Sequence, residues 1–249
     1  MSGHSKWSQI KRQKGVTDAK RGQLFTKLGR EISVAARTGG GPDPDANSRL
    51  RLAIQRAREA NMPMDNIDRA IKRGVGTGDG AMLDEVLYEG YGPNGAAILI
   101  EAMTDNRNRT VAEIRNAFKS GGGSLGESGC VAWLFDSRGV ISVQPNGADP
   151  EEVALKAIDA GAEDFRVDDE GIEIYTEPAQ METVRVALEQ EKVRVAAAEL
   201  AMIPKTTLEL QPKETVTVLK LMERLEELDD VQRVYSNLEL SEEALSQFA

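Results

Sequence analysis

The residues best suited to chemistry in this chain are cations, and they are concentrated in two segments. The first segment is the N-terminal arm, residues 1–17, where basic residues alternate with small polar residues around the tryptophan Trp7. The cations of the arm are Lys6, Lys11, Arg12 and Lys14. Lysine and arginine release counterions from phosphates, which gives strong affinity that does not depend on base sequence. The arm is therefore predicted to bind nucleic acid, and Trp7 is predicted either to stack on an exposed base or to pack as an apolar residue against neighbouring helices.

The second basic segment is Thr104–Thr110, which joins a predicted strand to a predicted helix. The sequence Thr110-Val111-Ala112-Glu113 fits a capping box, so the helix is expected to begin there. Arg107 and Arg109 then stand beside the free N–H groups and the positive dipole end of a helix, an arrangement that attracts anions. The segment predicts a phosphate or carboxylate site. The alternative is that Asp105 and Asn106 only close a turn.

Signals for catalysis, metals and cofactors are weak. His4 is the only histidine, and Cys130 is the only cysteine and lies in a segment, 130–135, that is predicted to be a core strand. Neither a zinc site nor a serine or cysteine triad stands out. Gly121–Gly126 fits the spacing of a dinucleotide-binding loop, but it follows a helix and precedes a strand, which is the reverse of the required order. We expect a protein that is not an enzyme and that needs no cofactor, metal or small-molecule substrate.

The charge of the chain is unevenly distributed. The formal net charge is −10, yet residues 1–73 carry +9 and the rest carries −19. Such asymmetry favours contact between the basic third and a nucleic acid. The alternative is a basic domain that docks on an acidic one. A solvated face that repels polyanions is predicted for the carboxylates near the C-terminus, Glu223, Glu226, Glu227, Asp229 and Asp230.

The same bulk properties favour a cytoplasmic location. The sequence contains no apolar run of membrane-spanning length, no apolar segment behind the first charges, and a single cysteine. These features predict neither a membrane contact nor a secretory signal, and a reducing compartment fits best.

The basic segments are expected to be held by a helical domain, residues 18–75. Phe25, Leu28, Ile32 and Ala35 recur at helical spacing in a first helix that starts at Asp18 and stops at Gly39–Pro42. Lys20, Lys27 and Arg30 fall off this stripe toward solvent, and with Arg21 they extend the predicted nucleic-acid-binding surface. A second helix is expected after the N-cap Asp45, and a short third helix ends at Lys72-Arg73-Gly74.

The rest of the chain is predicted to form two α/β domains, one inserted in the other. Residues 138–203 follow the order β-α-β-β-α-β, which is typical of a ferredoxin-like domain. Residues 82–135 and 205–240 are each incomplete, so we expect them to join into one discontinuous domain. Its second part is predicted as a strand, a helix from Pro212 to Asp229 and the strand Val231–Tyr235. The predicted fold class is therefore α+β.

Several sequence strings resemble the YebC/PmpR family, and the resemblance covers essentially the whole chain. They include Gly3-His4-Ser5-Lys6-Trp7, Phe25-Thr26-Lys27-Leu28, Asn61-Met62-Pro63, Tyr88–Pro93, Thr104–Glu113 and Met202-Ile203-Pro204. The resemblance implies a cytoplasmic protein of three domains without catalytic residues. It also implies two alternative functions. Bacterial members are described as probable DNA-binding transcriptional regulators, whereas other members are ribosome-associated translation factors that bind large-subunit rRNA and relieve stalling at proline runs. The choice between DNA and rRNA, the target sequence and the oligomeric state all stay open at this point.

Overall fold

The structure is a computed structural model, and it describes Trp7 and residues 18–78, 81–144, 149–168 and 171–248. Its elements follow one another in three groups. The helical group is α1 (Asp18–Thr38), α2 (Ser48–Glu59) and α3 (Met64–Gly74). The next group is β1 (Asp84–Tyr91), β2 (Ala97–Thr104), α4 (Arg107–Ser120) and β3 (Ser124–Leu125). The last group is β4 (Phe135–Gln144), α5 (Pro150–Asp159), β5 (Asp164–Asp168), β6 (Gly171–Thr176), α6 (Met181–Gln190), β7 (Arg194–Pro204), α7 (Pro212–Glu226), β8 (Val231–Ser236) and α8 (Glu242–Phe248).

The three N-terminal helices pack as the apolar stripes predict. Leu28, Ile32 and Ala35 of α1 are buried against α2 and α3 in one apolar cluster. Helices α1 and α3 approach closely because Gly74 has no side chain, since a Cβ at that position would lie 2.2 Å from the Ser33 carbonyl oxygen. The Ser33 hydroxyl also reaches the Ala70 carbonyl at 2.8 Å. The helical domain is thus a small bundle with its cations on the outside.

The N-cap of α2 differs from the prediction. Asn47, rather than Asp45, caps the helix, because its side-chain oxygen accepts from the Leu50 amide at 2.9 Å. The same side chain donates to the carbonyls of Ala35 and Gly41 at 2.9 and 2.8 Å, so it also fixes the turn that follows α1. Asn47 is fully buried. Burying a charged aspartate at this position would carry a large desolvation cost, which the neutral amide of Asn47 avoids.

The first sheet has the strand order β3-β1-β2-β8, so its last strand comes from a later part of the chain. Strands β1 and β2 form an antiparallel hairpin around Pro93–Gly95, as predicted. The predicted strand before α7 is wrong in its extent, because the chain there makes only a single bridge, Leu208 to Leu238. The predicted helix Pro212–Asp229 ends earlier, at Glu226.

The second sheet has the order β5-β6-β4-β7 and is antiparallel throughout. With α5 and α6 this is the ferredoxin-like arrangement that the sequence predicts. The chain therefore leaves the first sheet after β3, builds the second sheet completely, and returns with α7 and β8. The predicted α+β class and the insertion of one α/β domain in the other are confirmed. Strand β4 begins at Phe135, earlier than predicted.

The predicted strand 130–135 is wrong. The chain forms a turn around Cys130 and a short 3-10 helix over Ala132–Leu134 before β4 begins. The physical reason is Glu89 of β1, a buried carboxylate that accepts from the amides of Gly129, Val131 and Ala132 at 2.6, 2.8 and 2.7 Å. Amides that are bound to this carboxylate cannot pair with a neighbouring strand. Cys130 is consequently half-buried in a turn rather than in a core strand.

Contacts divide the chain into two compact units. One unit comprises residues 12–132, 210–234 and 241–249, and the other comprises residues 1–11, 133–209 and 235–240. Within the ranges that the structure describes, no helix is both long and apolar enough to cross a bilayer.

Candidate nucleic-acid interface

The N-terminal arm contains five of the eleven predicted contacts, and all of these except Trp7 fall outside the described residues. They are Lys6, Lys11, Arg12 and Lys14, and the side chain of Lys20 in α1 is likewise outside the described part. Trp7 is described, and only 2% of its surface is exposed. A base can stack only on an exposed ring, so stacking stays a prediction, and Trp7 is grouped with residues 133–209 and 235–240 rather than with the helical bundle against which the sequence predicts packing.

Helix α1 turns one polar face toward the end of α7 instead of toward solvent. Gln23 Nε2 donates to the Glu227 carbonyl at 3.4 Å, and Lys27 Nζ donates to the Glu226 carbonyl. Arg30 Nη1 donates to the carbonyls of Asp229 and Met103 at 2.8 and 3.0 Å. The last carbonyls of a helix have no partner within it and carry a partial negative charge, so they favour cations. The prediction that Lys27 and Arg30 point away into solvent is therefore wrong.

Other cations of the helical domain are exposed. Arg21, Arg58 and Lys72 have exposed side chains and make no ion pair with the part of the chain that the structure describes. Arg49 and Arg56, in contrast, pair with Glu85 and Glu31. Arg58 and Lys72 lie in the last turns of α2 and α3, where a cation is favourable for the helix itself. Apart from Arg21, these free positions are not among the predicted contacts, although the spacing of Arg58 off the apolar stripe indicates its exposure.

Helix α4 begins three residues before the predicted capping box. Asn106 is the N-cap, and its side-chain oxygen accepts from the Arg109 amide at 3.0 Å. Thr110 is consequently buried inside the first turn and is not a cap. Arg107 and Arg109 are the first and third residues of the helix, so both guanidinium groups start directly from its amino-terminal turn. The predicted start at Thr110 is wrong because the side chain of Asn106, four residues earlier, already accepts from the Arg109 amide of the first turn.

Asp230 binds Arg30 of α1 and Arg109 of α4 through one carboxylate. Its Oδ2 atom accepts from Arg109 Nη2 at 2.8 Å and lies 2.6 Å from the Thr110 hydroxyl, while its Oδ1 atom accepts from Arg30. The Thr104 hydroxyl is 3.2 Å from the same Oδ2 atom. Asp230 is only 2% exposed, so the prediction of a solvated acidic face is wrong at this residue.

The surroundings of Asp230 keep it ionised. Burial alone raises the pKa of a carboxyl, but the hydrogen bonds from Thr110, Arg109 and Arg30 outweigh burial and lower the pKa of Asp230 below its ordinary value. The hydrogen bonds to Asp230 and Asp105 in turn raise the pKa of Arg109 further above its usual value. The cluster is therefore a fixed set of charges over the whole physiological pH range.

The two arginines of α4 differ in how available they are to an anion. Arg109 is held by both Asp105 and Asp230, and its side chain is 43% exposed. Arg107 makes one ion pair, with Asp84 at 2.9 Å, and its side chain is 63% exposed. An exposed ion pair contributes little stability, so Arg107 can exchange Asp84 for a phosphate at small cost. The amides of Arg107 and Asn108 have no hydrogen-bond partner among the described residues. Arg107 and these amides are therefore the groups at this helix end that are most available to an anion.

Two family models together match almost the entire chain. The model described as the TACO1/YebC protein N-terminal domain matches residues 5–77, which include the helical bundle. The model described as the TACO1/YebC second and third domain matches residues 83–238, which include both sheets. The chain belongs to the TACO1/YebC family. The resemblance to the YebC/PmpR family that the sequence predicts is thereby confirmed.

Individual members of the TACO1/YebC family are similar to this chain over its full length. A protein of Dehalococcoides mccartyi is 54% identical over 248 residues, which are 100% of this chain and 98% of that protein. A protein of Herpetosiphon aurantiacus is 54% identical over 250 residues, which are 100% and 99% of the two chains. Each is named a probable transcriptional regulatory protein.

A crystal structure is also similar to this one. The structure of a conserved hypothetical protein from Aquifex aeolicus has a TM-score of 0.82 and 47% sequence identity, and the similarity covers 90% of this chain and 93% of the other. The three-helix bundle and the two small sheets are therefore the architecture of a solved relative as well.

Proposed function

We propose that this chain is a DNA-binding regulator of transcription that contacts duplex DNA through its basic N-terminal third. The observation that carries the proposal is the separation of charge, +9 in residues 1–73 and −19 in the remainder, in a chain whose relatives are named probable transcriptional regulatory proteins. Contacts with phosphates supply most of the affinity of a protein for DNA, and clustered cations are their usual source.

The proposed contact surface combines the arm with the outer side of the helical domain. The arm contributes Lys6, Lys11, Arg12 and Lys14, and the start of α1 contributes Lys20 and Arg21. Arg58, Lys72 and Arg107 extend the surface, because each is exposed and is either without an ion pair among the described residues or held by an exposed one. Arg109 adds its exposed portion beside Asp230, whereas Lys27 and Arg30 act only indirectly, because they hold α1 against the end of α7.

In this proposal the protein is not an enzyme and acts in the cytoplasm. The alternative, binding to large-subunit rRNA, has no observation on the described residues in its favour, and it serves as an outcome of the test. Phosphate contacts alone do not distinguish the two polymers, so the comparison has to be made by titration.

The proposal is tested by replacing Lys6, Lys11, Arg12 and Lys14 with Ala in the full-length chain. The slope of log affinity against log salt for duplex DNA should fall by about 3 to 4 units, since each phosphate contact contributes about 0.9. The matched control replaces four exposed cations outside the helical domain, Lys119, Arg194, Lys213 and Lys220. Fluorescence anisotropy at several salt concentrations measures both slopes.

The control should keep nearly the full slope. Equal losses in the two variants would mean that only net charge matters, and an unchanged slope in the arm variant would exclude the arm as a contact. Tighter binding of an rRNA fragment than of DNA at every salt concentration would overturn the choice of DNA.

A further inference from the structure

The two helices of the inserted domain, α5 and α6, lie on one face of the second sheet. A Cβ at Gly139 of β4 would lie 2.6 Å from Met181 Cβ of α6, so alternate residues of β4, beginning with Gly139, face the helices. Lys156 of α5 is 3.4 Å from Glu191 at the end of α6, which places both helices on this same side. Val140 and the residues paired with it therefore face away from the helices, and we call this side the open face.

The central row of the open face is defined by the strand register. Val140 pairs with Tyr175 of β6 and with Glu199 of β7, and Tyr175 pairs with Asp164 of β5. Side chains of directly paired residues project on the same face of a sheet. The row thus runs Glu199, Val140, Tyr175, Asp164, with two apolar or aromatic residues between two carboxylates.

The middle of this row is shielded from solvent although α5 and α6 lie on the opposite face. Val140 is 3% exposed and Tyr175 is 8% exposed. Leu238 and Leu240 line a cavity of about 650 Å³ together with Tyr175, so they cover one end of the row. Trp7 belongs to the same compact unit as residues 133–209 and 235–240 and is itself 2% exposed, so its ring is buried as well.

The charge around the open face complements the arm. The cavity is lined by the carboxylates of Asp136, Glu163, Asp164 and Glu239. Of its three cations, Arg138 pairs with Glu163 and Lys205 lies 3.2 Å from Asp136, whereas Arg166 makes no ion pair with the described residues. The buried Glu173 also lies on this face and accepts from the Tyr175 hydroxyl at 2.8 Å. Carboxylates therefore outnumber cations around Val140 and Tyr175, and a segment with four cations and one large apolar ring is complementary to this surface.

We propose that the open face is a docking surface for the basic arm of the same chain, with Trp7 over Val140 and Tyr175, and that this docking competes with nucleic acid for the arm. In the docked state, the carboxylates of the open face bind the cations of the arm in place of DNA phosphates. Only the competition rests on the proposed DNA binding, whereas the docking itself does not. The docked arm cannot contact DNA, so DNA binding requires its release from the open face.

The docking is tested in the full-length chain with Trp133→Phe, which leaves Trp7 as the only tryptophan. Trp133 is 64% exposed, so its replacement should leave the fold intact. Quenching of Trp7 fluorescence by acrylamide should be several-fold weaker than that of a free tryptophan derivative. Reversal of both ends of the row, Asp164→Lys with Glu199→Lys, should raise quenching several-fold. Glu151→Lys with Asp159→Lys, two exposed carboxylates of α5, makes the same charge change and should leave quenching unchanged.

Circular dichroism checks that each variant is folded. If the variant Asp164→Lys with Glu199→Lys is unfolded, the neutral variant Asp164→Asn with Glu199→Gln is used in its place. Strong quenching of Trp7 in the parent chain would overturn the docking. Equal quenching of Trp7 in the open-face variant and the control variant would overturn the docking as well.

The competition is tested by adding duplex DNA to the same three proteins. If the arm is docked in nine molecules of ten, its release strengthens the apparent affinity about tenfold in the open-face variant relative to the control. Quenching of Trp7 in the parent should rise when DNA binds. Binding with unchanged quenching would overturn the competition. If no protein binds DNA, the proposed function fails while the quenching result still decides the docking.

Discussion

Asp230 is the residue at which the bundle, the loop before α4 and the end of α7 are joined. Its carboxylate holds Arg30 of α1 and Arg109 of α4 from opposite sides, and two threonine hydroxyls lie close to it. The sequence correctly indicates that Arg107 and Arg109 flank a helix amino terminus. It cannot indicate Asp230 as a partner, because Arg30 and Arg109 are 200 and 121 residues away along the chain. Local charge patterns report only on near neighbours, and Asp229 and Asp230 look equally solvated in sequence.

Replacing Asp230 with Asn should destabilise the chain by about 2–3 kcal/mol at neutral pH, because two charge-assisted hydrogen bonds are weakened and the guanidinium of Arg30 is left without its counter-charge. The matched control is Asp229→Asn, an exposed neighbour with the same change in charge. The control should stay within about 0.5 kcal/mol of the parent. Urea unfolding curves measure both, and equal effects would mean that the Asp230 cluster contributes nothing specific.

The same pair of variants has a defined pH dependence. The pKa of Asp230 is lower in the folded chain than in the unfolded chain. Its contribution is therefore complete above the unfolded value, about 4, and is lost as pH falls through the lower folded value. The stability difference between the parent and Asp230→Asn should shrink as the pH falls below about 4. A difference that stays constant down to acid pH would contradict the assigned ionisation.

At the scale of elements, periodicity predicts where helices and strands lie much better than where they start. The apolar stripe of α1 and the ferredoxin-like order of residues 138–203 follow directly from spacing. The starts of α2 and α4 do not. Asn47 caps α2 while it also donates to the Ala35 carbonyl of α1, and Asn106 caps α4 by accepting from the Arg109 amide. The strand predicted at 130–135 fails for a similar reason, since the amides there bind a distant carboxylate, Glu89.

The cap of α4 can be tested by Asn106→Ala. Loss of its side-chain acceptor should cost about 1 kcal/mol of stability, because the Arg109 amide then has no side-chain partner. Asn108→Ala, two residues further into the same exposed turn, serves as the control and should change stability by less than about 0.5 kcal/mol. Thermal unfolding followed by circular dichroism distinguishes the two. A larger effect at Asn108 would show that the cap lies elsewhere.

At the scale of the whole molecule, the insertion of one α/β domain in another is visible from the sequence, because neither flanking piece can form a sheet alone. The ends of the inserted domain are harder to predict. Strand β4 pairs with β7 from Phe135↔Pro204 onward, and the Lys205 amide donates to the Leu134 carbonyl at 2.8 Å. The range 138–203 omits these outer pairs, since the apolar alternation that marks the strand becomes clear only at Val140.

We therefore expect the fragment 133–209 to fold by itself and to be more stable than the fragment 138–203. The longer fragment keeps three additional strand pairs, Phe135↔Pro204, Asp136↔Ile203 and Ser137↔Met202. Expression of both fragments and comparison of their melting temperatures by circular dichroism measures the difference. Equal melting temperatures would show that the outer pairs contribute nothing, and an unfolded longer fragment would contradict independent folding.

The pairing of Phe135 with Pro204 also constrains the order in which the protein can mature during synthesis. Directly paired residues of antiparallel strands lie about 5 Å apart, so the inserted domain enters and leaves through neighbouring points. Its strands are all contiguous in the chain, and it can close as soon as β7 has emerged from the ribosome. Strand β2, made earlier, has to wait for β8 before its sheet is complete. The nascent chain thus finishes its later-made domain first, while an unpaired edge of β2 is exposed to other nascent or misfolded strands.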